Sequence, residues 1–162
     1  MTSPSDPNIP LLRHTLATLA YRGGKALRGA PADFAEFKAG PATRTPAQIL
    51  AHLGDLLDWA LNLVRANPGW HPAAPQTWDQ DVKRFFAALE AFDKHLASST
   101  PLGVPAEKLF QGPIADAFTH IGQIAMLRRM AGSPVRGENY FKAEIVAGRV
   151  GPKQAAPGFE FD

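Results

Sequence analysis

Cysteine is missing from all 162 residues. Its absence excludes disulfides, zinc-ribbon sites, thiolate nucleophiles and iron–sulfur clusters together. No apolar run approaches the length of a membrane span, and "MTSPSDPNIP" is neither basic nor apolar enough for a signal peptide, so no membrane role and a cytoplasmic location are expected. Charge of one sign is also scarce. Lys and Arg number 17 against 15 Asp and Glu, a net +2, and no basic cluster is longer than "LRR", which argues against nucleic-acid binding. Internal repeats and convincing strand pairs are lacking too. What remains, 45% hydrophobic and 20% charged residues, is the composition of one ordinary folded domain with room for a core.

Four segments have helical periodicity. After a loose, proline-rich lead-in over residues 1–9, Pro10 can open a helix because its missing N–H would be unpaired there. Leu12, Leu16, Leu19, Gly23 and Leu27 form its stripe, and Gly29 and Pro31 end it. "TPAQ" starts the second helix, with Thr45 as N-cap, Pro46 at the first position and Gln48 completing a capping box. That helix runs to about Ala66, with Ile49, His52, Leu53, Leu56, Ala60 and Leu63 on one face. A third begins near Thr77 on the stripe Trp78, Val82, Phe85, Leu89, Phe92 and Leu96. A fourth starts between Pro105 and Pro113 and continues to Ala131, stopped by Gly132 and Pro134. The tail over 136–162 is too rich in glycine and proline for a long helix. A short helix or a strand over "NYFKAEIV" fits it.

Four amphipathic helices predict an all-α fold, a four-helix bundle. The linker "NPGWHPAAPQ" is long enough to cross such a bundle, since ten extended residues span roughly the 30 Å of a twenty-residue helix. Helices 2 and 3 are then free to run parallel.

On the fourth helix Asp116, His120, Gln123 and Leu127 recur at spacings of four, three and four. Residues one turn apart are neighbours on a helix face, so Asp116 and His120 can converge on one point. A rigid helix fixes such a pair before an ion arrives, and His52 can add a ligand from across the bundle. Two imidazoles and a carboxylate leave positions open for water or substrate. The spacing also fits a hydrogen-bonded surface pair beside a satisfied core histidine. His14 and His95 fall off their stripes and are expected in solvent. His71 lies in the linker, where it caps a pocket mouth or stays on the surface. Arg128 and Arg129 offset a helix dipole, and one of them can pair with Glu138. Helix 3 is expected to supply no ligand, its acids Asp79, Asp81, Glu90 and Asp93 lying off the centre of its stripe. Leu11, Thr15, Thr18 and Ala26 form a second apolar edge suited to a homodimer.

"ILAHLGDLLDWAL", with "HLGD", and "HIGQIAMLRRMAGSPV", with "HxGQ" and "RRxxGxP", resemble the two motif blocks of the DinB/YfiT-like bacterial metalloprotein superfamily. The resemblance covers roughly residues 10–135. It implies a single domain over 1–162, an up–down–down–up bundle, frequent homodimerisation, and one divalent metal ion held by His52, Asp116 and His120. Zinc or nickel is favoured, with iron or manganese as further candidates. Many members have histidine where this chain has Asp116, which adds a negative charge and a harder ligand. The activity implied is thiol-dependent S-transferase chemistry on a small-molecule substrate, with a low-molecular-weight thiol supplied from outside. A metal-dependent hydrolase, non-haem iron oxygen chemistry and a metal-binding bundle without turnover are the alternatives. Asp55, Gln123 and Tyr140 are candidates for contacts beyond the ligands, Asp55 and Gln123 orienting them and Tyr140 folding over the mouth.

Overall fold

The computed structural model describes residues 6–98 and 100–162, so the expectation for the first five residues lies outside it. Helix α1 spans Ile9–Leu27, α2 Pro46–Val64 and α3 Trp78–Ala97. The fourth rod is composite: a turn of α-helix, α4 (Ala106–Leu109), a π-helical turn over Phe110–Ile114, and α5 (Ala115–Met130). A 3₁₀ turn, Phe34–Glu36, lies between α1 and α2. Strand content is almost nil, and the fold is all-α. Among the described residues no helix is long and apolar enough to cross a membrane.

Local chemistry fixes the helix ends. Thr45 and Gln48 form the expected capping box, Gln48 N–H donating to Thr45 Oγ1 at 3.2 Å and Thr45 N–H to Gln48 Oε1 at 2.9 Å. Thr77 and Gln80 build a second one at the start of α3. At the end of α5, Ser133 N–H reaches the Arg128 carbonyl and Gly132 N–H that of Arg129, with Gly132 at φ +76°, the left-handed turn only glycine takes cheaply.

Helix α2 packs against α3 and α5, and α1 packs against the same two. One core joins all of them, including Leu16, Leu19, Leu53, Leu57, Phe85, Leu89, Phe92 and Ile124, each almost wholly buried. Gly23 lets α1 and α3 approach closely, because a Cβ there would stand 2.6 Å from the Phe85 ring. Two helix-3 acids are shielded from water. Asp81 and Asp93 are buried. Asp93 accepts both Arg13 N–H bonds, at 2.8 and 2.9 Å, and Asp81 caps the Gln76 N–H. His95 is likewise half-buried rather than solvated, whereas His14 is exposed.

The tail forms neither a helix nor a strand over "NYFKAEIV". It turns at Tyr140–Ala143, and Gly137–Glu138 pairs antiparallel with Glu160–Phe161. Glu138 does not meet the arginines of α5. Its carboxylate lies 2.7 Å from Lys25 Nζ and accepts the Tyr21 hydroxyl, pinning the tail to α1. Burial and that carboxylate together push the Tyr21 phenol well above its ordinary range.

Arg128 does more than offset a dipole. Its guanidinium is buried and donates to the carbonyls of Ala26, Arg28 and Gly29, the unpaired end of α1, and to Ser133. Arg128→Ala leaves those acceptors unsatisfied and is expected to cost about 2–4 kcal/mol in urea unfolding. The exposed Arg129→Ala is expected to stay within about 0.5 kcal/mol of the parent.

Candidate metal centre

His52 stands near the start of α2, on the edge of its buried face. Asp116 and His120 stand on the first two turns of α5. Each of the three offers one ligand atom, and these atoms lie within 4.8 Å of one another. His52 Nε2 is 3.6 Å from Asp116 Oδ2. Two donors about 2.1 Å from a tetrahedral ion are separated by roughly 3.4 Å, so this spacing suits a shared cation.

The tautomer of His120 follows from its partner. Its Nδ1 lies 2.8 Å from the backbone carbonyl of Asp116. A carbonyl only accepts, so Nδ1 carries the proton, and in the neutral ring Nε2 keeps the free lone pair. This bond holds the ring in place, as an outer partner does for a ligating histidine. The Asp116 Oδ1 atom also lies 3.2 Å from Nδ1. The two imidazoles pack edge to face, their centroids 4.6 Å apart.

Burial lowers the His52 pKa below its ordinary 6.5, and His120 and Arg44 lower it further, against the opposing pull of Asp116. His52 is therefore a neutral imidazole at pH 7, and among the described residues no Lys or Arg forms an ion pair with the Asp116 carboxylate. Its side chain is 46% exposed, so the cluster opens to solvent on the aspartate side.

The π turn was not legible beforehand, although Pro113 inside a helical pattern was its signal. A proline in a regular helix clashes with the carbonyl four residues back, and the wider turn accommodates it. The extra residue rotates everything after it by about 100° relative to an unbroken helix. Asp116 and His120 lie on the regular helix that follows it. The buried centre of α5 runs through Ala117, Ile121 and Ile124. His120 lies at its margin, and Gln123, about 60° further round, faces solvent and touches no ligand.

Asp55 and Tyr140 also have other partners. Asp55 Oδ1 accepts from Arg84 Nη2 at 2.8 Å and from the Ala73 N–H at 3.0 Å, so it fastens α3 and the linker to α2. The held linker brings Trp70 to 5.6 Å from the His52 ring, and Trp59 packs on Trp70 at 5.8 Å. Tyr140 lies against Tyr21 with Arg22 stacked over it at 4.2 Å, on α1 and away from the mouth. His71 is an exposed linker residue. Helix α3 gives the cluster no ligand.

A cavity of about 300 Å³ lies elsewhere, lined by Leu27, Trp78, Val82, Phe86 and Pro152, and none of the three donors borders it. Convergence of donor atoms, which an ion needs, marks the site better than concavity does. Comparison with protein-family models, curated proteins and solved structures finds no match for this chain.

With metal chelated, the lowered His52 pKa has a readable consequence. In the unfolded chain His52 takes up a proton near pH 6.5, whereas the folded protein takes it up only at lower pH. The stability it contributes is present above pH 6.5 and is lost as pH falls through the folded value. Urea unfolding from pH 8 to 5 is expected to show this decline, and His52→Asn is expected to flatten it.

Proposed function

We propose that His52, Asp116 and His120 hold one divalent cation, and that the chain is a cytoplasmic metal-dependent enzyme acting on a small molecule. One observation carries this: three donors from two helices converge within 4.8 Å, and no Lys or Arg among the described residues pairs with their single carboxylate. Water reaches the Asp116 carboxylate, 46% exposed, and an ion bound there would add a charge-assisted partner beside the two imidazoles. Two imidazole nitrogens favour zinc or nickel, and the harder carboxylate extends the range to iron or manganese.

The resemblance to the DinB/YfiT-like superfamily makes thiol-dependent S-transfer the proposed reaction. A bound cation would hold an external thiol as its thiolate at neutral pH. The chain's own residues have the supporting parts. His120 is fixed by its Nδ1–H bond, His52 is kept neutral, and Trp70 screens one side from water.

Contacts along the rods support the up–down–down–up order. Arg13, early in α1, meets Asp93, late in α3. Ala26 and Arg128 join the last turns of α1 and α5. Trp59, late in α2, borders Gly112 before α5, while His52, early in α2, meets His120 within it. Helices 1 and 4 then run one way and helices 2 and 3 the other.

A homodimer through α1 belongs to the same proposal. Leu11 is 67% exposed, and the Thr15 and Thr18 hydroxyls are turned back onto their own helix. Ala26, expected on that edge, belongs to the core instead. Light scattering at high concentration is expected to give twice the chain mass; a monomer rejects the dimer.

Metal analysis of untagged protein is expected to find one equivalent. His52→Ala and His120→Ala are expected to lose most of it, Asp116→Asn to bind more weakly and Asp116→His to retain it. Chelation is expected to lower Tm by about 5–10 °C, the effect of losing a ligand present at a hundredfold its Kd. A full equivalent of metal in both alanine proteins would misplace the site. Turnover that needs an added thiol supports S-transfer, and turnover without one supports hydrolysis.

A further inference from the structure

Trp70 is an indole left 44% exposed on a linker that is otherwise tied down. Asp55, itself held by Arg84, fastens the Ala73 N–H three residues on. Trp59, on α2 two turns beyond His52, meets Trp70 edge to face at 88°. The two indoles make a fixed corner, and its Trp70 side lies against the His52 ring. Gly112 presents no side chain to the Trp59 ring, whose nearest atom would stand 3.9 Å from a Cβ there.

We infer that Trp70 and Trp59 form the specificity wall of the metal centre, selecting small molecules that carry a planar apolar group next to their metal-binding head. It rests on the metal reading of His52, Asp116 and His120. Indole faces and edges favour flat apolar partners through stacking and edge contacts. They also attract organic cations, but a divalent ion with one carboxylate leaves the centre net positive, which repels a cationic ligand. A neutral or anionic ligand with an aromatic or similarly flat group is the class that satisfies both features. The wall makes Trp70 a positioning residue for that group, with no role in holding the ion.

Cobalt-loaded protein tests this with two probes that share one chelating head, acetohydroxamate and benzohydroxamate, followed by the cobalt visible spectrum. Benzohydroxamate is expected to bind about tenfold more tightly, beyond any difference measured with free cobalt, from burial of the phenyl ring. Trp70→Ala is expected to bind cobalt normally and to lose most of that preference, and Trp70→Phe to keep most of it. Trp59→Leu, which loses the second face, is expected to weaken it partly. Equal binding of both probes, or a preference that survives Trp70→Ala, overturns the wall while leaving the metal centre standing. Failure of the wild-type protein to bind cobalt overturns the metal centre and the wall together.

Discussion

The ion pair between Arg84 and Asp55 is the interaction on which the candidate centre rests. Arg84 lies flat over α2, where a Cβ on Gly54 would come within 2.7 Å of it. Its guanidinium donates to the Ala51 carbonyl, to Asp55 and to Asp58. Burial alone would lower its pKa, but hydrogen bonds to Asp55 and Asp58 prevail and raise it. The guanidinium therefore stays charged, and α2 and α3 are locked side by side within one turn of His52. The second acceptance by Asp55, from Ala73, carries that rigidity into the linker and so to Trp70. One arginine thus fixes a ligand candidate and the aromatic corner beside it.

Several charges taken from water meet an opposite charge or a set of acceptors. Arg13 has Asp93, Lys25 has Glu138 and Glu160, and Arg128 has the carbonyls closing α1. Such pairs add modest net stability, yet removing one partner strands the other. Asp116 breaks the pattern. Its neighbours are two imidazoles, one of them kept neutral by its burial. That carboxylate, 46% exposed, keeps a solvent-facing side open to a further partner.

Helix starts were the most legible part of the fold, because caps act within four residues. Thr45, Pro46 and Gln48 announce α2, and Gly132 with Pro134 announces the end of α5. The stripes of α1 to α3 were readable as well, since each repeats every three or four residues without interruption. The face of the fourth rod was harder. His120 and Gln123 share α5, but three residues of helix leave them about 60° apart, enough to take Gln123 off the margin and into solvent. His52, Asp116 and His120 could be brought together from sequence because two of them share a turn and the third sits on an inward stripe. The partners of Asp55, Tyr140 and Glu138 could not, because they lie on segments distant in sequence whose approach depends on the whole packing.

The reset of phase also bears on what the centre can do. The wide turn steps α5 about 100° round relative to the turn before it. The turn that accommodates Pro113 lies next to the open, aspartate side of the cluster. Rigid α2, clamped by Arg84, holds one donor, while the other two ride on a helix whose start is irregular. On the proposed reading, the histidine of α2 is the fixed point, and the carboxylate, half in water, is the donor best able to shift as ligands at the open positions exchange. A carboxylate suits that place better than a third imidazole, because it can bind through one oxygen or two without moving its backbone.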